Sequence, residues 1–253
     1  MKVSIITVTF NSGQTIADTL ESVLRQTYSD IELIVVDGLS TDNTMEIVRQ
    51  FEPKFGGRMR WISEKDRGIY DAMNKGLALA TGDVVGILNS DDFFSADDVV
   101  ERMVGEFSDD VDLVYGDIHF VRESNLKKSI RYYSGRIFRP WMVRWGFFPP
   151  HPSLYVRRSI YDQYEYYKAD YKISADFEMI ARLCYVHRLR YRYIHMDFVT
   201  MRMGGASTDS LSSRILGTKE DLQACRELGI KSNKLMIYCK YIIKAFQAVF
   251  IRS

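Results

Sequence analysis

Residues 3–42 read VSIITVTFNSGQTIADTLESVLRQTYSDIELIVVDGLSTD. VSIITVTF and IELIVVD are continuous apolar runs ended by polar turn residues, as expected of strands buried on both faces of a sheet. Between them Ile16, Leu20, Val23 and Leu24 recur at helical spacing, and DNTMEIVRQF supplies a second helix. This strand–helix alternation predicts a parallel sheet. A third round follows in MRWIS, the helix GIYDAMNKGLALA closed at Thr81-Gly82, and the strand DVVGIL. Ligands of such sheets bind beyond the carboxyl ends of the strands. Polar clusters sit at those ends here: Asn11-Ser12, Asp37 to Asp42, Glu64 to Gly68 and Asn89 to Asp92. Four strand ends are therefore expected to converge on one crevice.

The chain has 253 residues, 46% of them hydrophobic, enough for a substantial α/β core. Thirty-four basic residues face thirty-three acidic ones, which argues against a general nucleic-acid binder. Cys184, Cys225 and Cys239 are odd in number and sit in apolar helical patterns, so neither a disulfide framework nor a zinc site is expected. The first apolar segment starts at Val3 and reads as a strand rather than a signal peptide, so the expected compartment is the cytoplasm. After VDLVYGD (111–117) the character changes without a Pro/Gly/Ser-rich linker, consistent with one domain over 1–230 in two halves, 1–117 and 118–230. Between Arg122 and Arg158 nine Arg or Lys accompany one acidic residue, Glu123, and are interleaved with Tyr132, Tyr133, Phe138, Trp141, Trp145, Phe147 and Phe148. That composition suits a solvated face, or an anionic and partly apolar ligand such as a lipid phosphate. The pattern continues as a helix in SADFEMIARLCYVHR, strands in YRYIH and FVTMRM, and a helix from about Leu211 to Leu228.

The segment GILNSDDFFSADD (86–98) sets two adjacent carboxylates at the mouth of the core. Like charges near a strand end persist most readily where a cation or several donors offset them; alternatively Asp91 or Asp92 caps a helix beginning near Ala96. Asp37 has two readings as well, bonding local turn amides or accepting hydrogen bonds from a nucleobase or ribose. No G-x-G-x-x-G follows the first strand and no G-x-x-x-x-G-K-[ST] occurs, so dinucleotide oxidoreductases and P-loop NTPases lose their main support. A nucleotide would then depend on a metal bridging its phosphates, and Asp91 and Asp92 are placed to hold one.

Taken together, the segments VTFN (8–11), VVDGLSTD (35–42) and EKDRGIYDAMNKGLALATGDVVGILNSDD (64–92) resemble the family 2 glycosyltransferases, inverting nucleotide-sugar-dependent enzymes of GT-A fold. The last segment is most similar to a branch active in bacterial surface-polysaccharide assembly. The resemblance covers about Lys2 to Gly205. It implies a mostly parallel central sheet flanked by helices, with 1–117 as the nucleotide-sugar half and 118–230 as the acceptor half. It implies a metal-dependent hexosyl- or N-acetylhexosaminyl-transferase using Mg²⁺ or Mn²⁺ and a UDP-sugar donor. The acceptor implied is a polyprenyl-diphosphate-linked glycan. Donor contacts would come from Thr9, Asn11, Asp37, Asp66, Arg67, Asn89 and Asp91, with Asp91 and Asp92 at the metal. Asp176 would be the catalytic base, its proton affinity raised by the nearby Glu178 charge. The competing reading makes Asp176 or Ser174 a helix cap. His151 would lie near the acceptor or the diphosphate, or be structural. Asn89 departs from the acidic residue common at its position, which removes one formal charge from the metal site, and Leu39 replaces a small residue. A sugar-phosphate nucleotidyltransferase is the competing enzyme class, but TFNSGQTIAD lacks the basic loop it needs; a non-catalytic nucleotide-sugar-binding protein is the other alternative.

The C-terminal NKLMIYCKYIIKAFQAVFIRS (233–253) is apolar around most of a helix, with Lys240, Lys244 and Gln247 as a narrow polar stripe. It is too short and too charged to span a bilayer. It is expected either to pack on the protein's own core or in a homodimer, or to lie in the inner face of the cytoplasmic membrane. In the membrane reading Lys240, Lys244, Lys231, Lys234 and Arg252 would attract anionic headgroups, making 231–253 a peripheral membrane contact.

Overall fold

The structure, a computed structural model, describes residues 1–204 and 211–250, with side chains for all of these except Leu211 and residues 243–250. The opening alternation is realised as β1 (Val3–Thr9), α1 (Ile16–Leu24), β2 (Ile31–Asp37), α2 (Thr44–Phe51), β3 (Met59–Ser63), α3 (Ile69–Leu79) and β4 (Val84–Ile87). Every residue of β1, β2 and β4 is buried, as continuous apolar runs require in a sheet covered on both faces. Helix α1 buries Ile16, Leu20 and Val23 on its sheet-facing side. The short strand β5 (Phe93–Phe94) and α4 (Val99–Gly105) follow; α4 begins at Val99 rather than near Ala96, so neither Asp91 nor Asp92 caps it.

Beyond residue 105 the elements are β6 (Leu113–Arg122), β7 (Asn125–Tyr133), β8 (Leu154–Arg157), α5 (Arg158–Tyr164), α6 (Ala175–Ala181), β9 (Tyr191–Arg202), α7 (Leu211–Glu227) and α8 (Lys234–Phe250). The sheet order is β3-β2-β1-β4-β8-β6-β9-β5, with β7 paired to β6. Pairing is parallel from β3 to β4, where helical crossovers join the strands. It becomes mixed beyond, because β8 runs antiparallel to both β4 and β6 and a two-residue turn folds β7 back on β6. Strand β9 returns parallel to β6. The two expected strands YRYIH and FVTMRM are one strand, and the expected long helix from Ser174 gives way to a π turn at Arg182–Val186. Gly86 sits where β8 crosses closest: a Cβ there would stand 2.3 Å from the Tyr155 ring.

The C-terminal helix reverses the expected orientation of one lysine. Lys240 is buried and pairs with buried Asp221 of α7 at 2.5 Å, so it does not face solvent or headgroups. Burial raises the Asp221 pKa, and the Lys240 charge acts against that rise; an inward Lys240 is what compensates the carboxylate. Among its described residues α8 exposes Leu235 (78%), Tyr238 (40%) and Ile242 (69%), next to exposed Lys234 at its start. The side chains of Lys244 and Gln247, and Arg252, lie outside the described residues. Among the described residues no helix is long and apolar enough to cross a membrane.

At the edge of the sheet opposite the strand carboxyl ends, Glu32 of β2 gathers Ser4 Oγ (2.5 Å), the Thr81 amide (2.6 Å), Lys2 Nζ (2.8 Å) and Arg60 Nη2 (3.2 Å). Burial raises its pKa, but the hydrogen bonds from Lys2, Ser4 and Thr81 outweigh burial and bring it from 4.5 down to about 2. A depressed folded-state value means that the stabilisation is complete above pH 4.5 and disappears as pH falls towards 2. Glu32→Gln should therefore cost about 1–3 kcal/mol at pH 7. Urea unfolding of both proteins should show this difference shrinking between pH 5 and pH 2; a difference constant over that range contradicts the assignment.

Candidate active site

The carboxyl ends of β1 and β4 open into a cavity of about 780 Å³. Its wall combines the β1–α1 connection from Val8 to Thr15, the start of α3 with Asp66, and the segment Asn89–Asp92 after β4. Phe120, His151, Lys172, Asp176 and Arg202 complete it from the second half of the chain.

The Asn89–Asp92 segment is fixed through its backbone. Three successive carbonyls each accept from a different side chain: Ser90 from Thr15 Oγ1 at 2.9 Å, Asp91 from Arg202 Nη1 at 2.7 Å, and Asp92 from Thr19 Oγ1 at 2.7 Å. Ser12 Oγ adds a 2.8 Å bond to Ser90 Oγ. Arg202 is itself buried, held by Asp18 and by Glu123 at 2.7 Å. The backbone is thus set independently of its carboxylates; of these the Asp92 side chain is buried, with Asn89 Nδ2 3.5 Å from its Oδ2. Burial raises the Asp91 pKa against the pull of Arg202; burial and then the Asp91 charge raise that of Asp92 well above the ordinary carboxylate value. Asn89 Oδ1 and Asp92 Oδ1 are buried without a hydrogen-bond partner. Orphaned oxygens beside a destabilised carboxylate pair are what a hard divalent cation would satisfy. Among the described residues no three His, Cys, Asp or Glu side chains gather as a self-sufficient metal cluster. Two carboxylates and an amide carbonyl suit instead an ion that takes its remaining ligands from phosphate and water.

The other expected donor residues divide. Thr9, Asn11 and Asp66 line the cavity. Asn11 has a left-handed φ of 50° and accepts from the Thr41 amide at 2.8 Å, so it ties the turns after β1 and β2 together. Asp66 accepts from the Gly68 amide at 2.9 Å. Asp66 also reaches the turn after β2, where a Cβ on Gly38 would stand 2.5 Å from its movable Oδ2. Leu39, in place of the expected small residue, is exposed and held at φ 65°, a strained conformation for a bulky side chain. Asp37 and Arg67 do not line the cavity. Asp37 is fully buried and accepts from the Ser40 amide and hydroxyl of its own turn, the latter at 2.5 Å, and from Ser63 Oγ of β3 at 2.6 Å. Arg67 is 81% exposed and paired with Asp71 at 2.8 Å.

On the acceptor side Asp176 lies in the first turn of α6 and lines the cavity. Its Oδ1 accepts from the Phe177 amide at 2.8 Å and stands 3.4 Å from the Tyr70 hydroxyl. Ser174 occupies the N-cap position of α6, but its hydroxyl makes no cap bond and donates to Gly217 O at 3.2 Å; the first-turn amide of Phe177 is taken by Asp176. Glu178 is fully buried. The i,i+4 spacing sets it beside Arg182 at 3.1 Å, Lys168 adds a contact at 3.6 Å, and its charge is neutralised in that buried cluster. His151 is buried, bonds Tyr167 Oη through Nε2 at 2.8 Å, and has its pKa pushed down to about 4 by burial, so it is neutral at physiological pH. Tyr70, Lys172 and Arg202 were not legible as site residues: Arg202 ends an ordinary-looking strand, and Tyr70 falls on the buried face of α3.

The sequence model of the family described as Glycosyl transferase family 2 matches residues 4–164. A PGL/p-HBAD biosynthesis glycosyltransferase of Mycobacterium bovis is 32% identical over 232 residues, covering 90% of this chain and 86% of the relative. Among solved structures, S. aureus TarS 1–349 in complex with UDP-GlcNAc superposes with a TM-score of 0.71 at 17% identity, covering 97% of this chain and 73% of that one. This chain spans 44% of the longer TarS chain. The mannosyltransferase PcManGT from Pyrobaculum calidifontis, in complex with GDP-Man and Mn²⁺, gives 0.63 at 21% identity, covering 98% and 70%. The mixed sheet with the cavity at its carboxyl edge is a GT-A fold, and the chain belongs to glycosyl transferase family 2.

Proposed function

We propose that the protein is an inverting, metal-dependent glycosyltransferase that moves a hexosyl or N-acetylhexosaminyl group from a UDP-sugar to a hydroxyl of a polyprenyl-diphosphate-linked glycan. The single observation carrying this reading is that Asp176 and the Asn89–Asp92 segment, 84 residues apart at their nearest, line one cavity. UDP-GlcNAc in the TarS complex supports the choice of donor, and Mn²⁺ with GDP-Man in the PcManGT complex supports a divalent ion. Asp91 and Asp92, with the Asn89 carbonyl, would hold Mg²⁺ or Mn²⁺, which when bound neutralises charge on the departing diphosphate. The ionised Asp176 takes the proton of the acceptor hydroxyl as that oxygen attacks the anomeric carbon. The bond from that carbon to the diphosphate oxygen breaks, and the configuration inverts. Neutral His151 cannot offer a positive charge to the diphosphate and serves by shape and hydrogen bonding.

Asp176→Asn should lower turnover ~10²- to 10⁴-fold while calorimetry shows nearly unchanged donor affinity. A variant with more than half of wild-type turnover would remove Asp176 from this role. In the same calorimetric assay donor binding should require Mg²⁺ or Mn²⁺ and weaken in Asp92→Asn; binding undiminished in excess chelator contradicts the metal assignment.

The reading includes peripheral contact with the inner face of the cytoplasmic membrane. It is supported by the outward Leu235, Tyr238 and Ile242 of α8 and by the exposed Trp141 of the 140–145 segment, from which Arg144 bonds the Lys231 carbonyl at 2.8 Å. Deleting α8 would strip Lys240 from Asp221, so surface substitution is the cleaner test. Leu235→Ser with Ile242→Ser should release the protein from anionic phospholipid vesicles without lowering its melting temperature; undiminished vesicle binding overturns the contact.

A further inference from the structure

Nine Arg or Lys lie between Arg122 and Arg158. Arg139, Arg144, Arg157 and Arg158 donate to backbone carbonyls, and four others stand exposed on the surface. Arg131 of β7 differs from all of these. It is half-buried, and among the described residues its guanidinium has neither a carboxylate nor a hydrogen-bond acceptor. What it touches is the ring of Phe120, its neighbour across the β6–β7 pair, at 4.8 Å from the centroid, and Phe120 lines the cavity. Burial lowers the Arg131 pKa, and Arg214 of α7, a second cation, adds to that fall against the pull of the Tyr133 phenol. A guanidinium withdrawn from water beside a like charge is what a bound anion would compensate.

Lys172 repeats the pattern inside the cavity. Among the described lining residues Lys172 and Arg202 are the two Lys or Arg side chains. Arg202 is fully engaged by Asp18, Glu123 and the Asp91 carbonyl, and His151 is neutral. The Lys172 ammonium has no partner among the described residues, although its main chain is fixed. Its amide donates to Glu220 of α7 at 3.0 Å, and the next carbonyl, Ile173 O, accepts from Tyr70 Oη at 2.5 Å. The start of α7 joins the two cations: Arg214 acts on Arg131, and a Cβ on Gly217, three residues along, would stand 3.6 Å from Ile173.

We propose that Arg131 and Lys172 seat the diphosphate of the lipid-linked acceptor, Arg131 at the rim of the cavity and Lys172 within it. This rests on the reading of the acceptor as a polyprenyl-diphosphate-linked glycan. The donor's diphosphate has its own place at the Asn89–Asp92 segment, whereas β7, which carries Arg131, packs against α8 with its outward Leu235 and Ile242. A guanidinium lying on an aromatic ring suits an anion that has an apolar chain attached.

The test titrates geranyl diphosphate into the full-length protein already saturated with UDP and Mg²⁺, so that the donor place is filled. Wild type should bind it beside UDP. Binding should weaken ~10- to 100-fold in Arg131→Met and in Lys172→Met, the size expected of one charge-assisted contact, with UDP affinity unchanged. Lys172 is exposed, so its variant reports on the seat even if Arg131→Met proves unstable. Undiminished geranyl diphosphate binding in Lys172→Met overturns the proposal. Displacement of UDP by geranyl diphosphate, or a parallel loss of UDP affinity in the variants, also overturns it, because either result gives these cations to the donor. Geraniol binding as tightly as geranyl diphosphate overturns it too, since no phosphate is then read. A wild-type protein that binds UDP but no geranyl diphosphate contradicts the acceptor reading and the seat together; one that binds both and loses neither in the variants refutes the seat alone.

Discussion

The rest of the site depends on how one short piece of backbone is held. Two carboxylates side by side at the end of a buried strand repel each other and lose hydration, so left to itself the segment would turn them outward. Thr15, Arg202 and Thr19 prevent this by taking the carbonyls of Ser90, Asp91 and Asp92 in turn. These anchors come from the start of α1 and the end of β9, so the acidic pair is correctly formed only once both halves of the sheet have closed. Electrostatic frustration at Asp91 and Asp92 is held in place by neutral and charge-assisted hydrogen bonds to the backbone rather than to the carboxylates.

The order of the sheet follows from the same requirement. Strand β4 lies between β1 and β8, which brings its carboxyl end beside the β1–α1 connection on one side and the second half on the other. A purely parallel sheet would leave that second side to a helix. The antiparallel β8 and the long β9 instead bring Arg202 and the α6 turn with Asp176 to the cavity. The C-terminal helix extends this arrangement outward. Lys240 compensates Asp221, and Asp221 lies behind the α6 turn, so the helix with the exposed apolar face also supports the acceptor side of the cavity.

The first four strands, their helices and the Asn89–Asp92 segment were legible because their signals are local: runs of apolar residues, periodicity and turn chemistry. Thr9, Asn11, Asp66, Asp91, Asp92, His151 and Asp176 reach one cavity from positions the sequence singled out. What escaped was non-local. Arg202 acts on Asp91 across 111 residues and on Asp18 across 184, and Tyr70 reaches Ile173 across 103. Lys240 read as surface because its helix has a polar stripe, and only the buried carboxylate of a neighbouring helix turns Lys240 inward. Glu178 read as a charge near Asp176, but a partner one turn along its own helix neutralises it. Asp37 had two sequence readings, and only tertiary packing of Ser63 from β3 decides how its carboxylate is engaged here.

The central claim is that Asn89, Asp91 and Asp92 form a metal–diphosphate seat whose shape is fixed before any ligand arrives. It is tested most directly by diffraction from crystals soaked with UDP and Mn²⁺, using the anomalous signal of manganese. The account predicts one strong peak within coordination distance of Asp91 or Asp92 and of the diphosphate oxygens, with the Ser90–Asp92 carbonyls still bonded to Thr15, Arg202 and Thr19. Manganese bound elsewhere, or a nucleotide seated in the cavity with no metal at this segment, would contradict it.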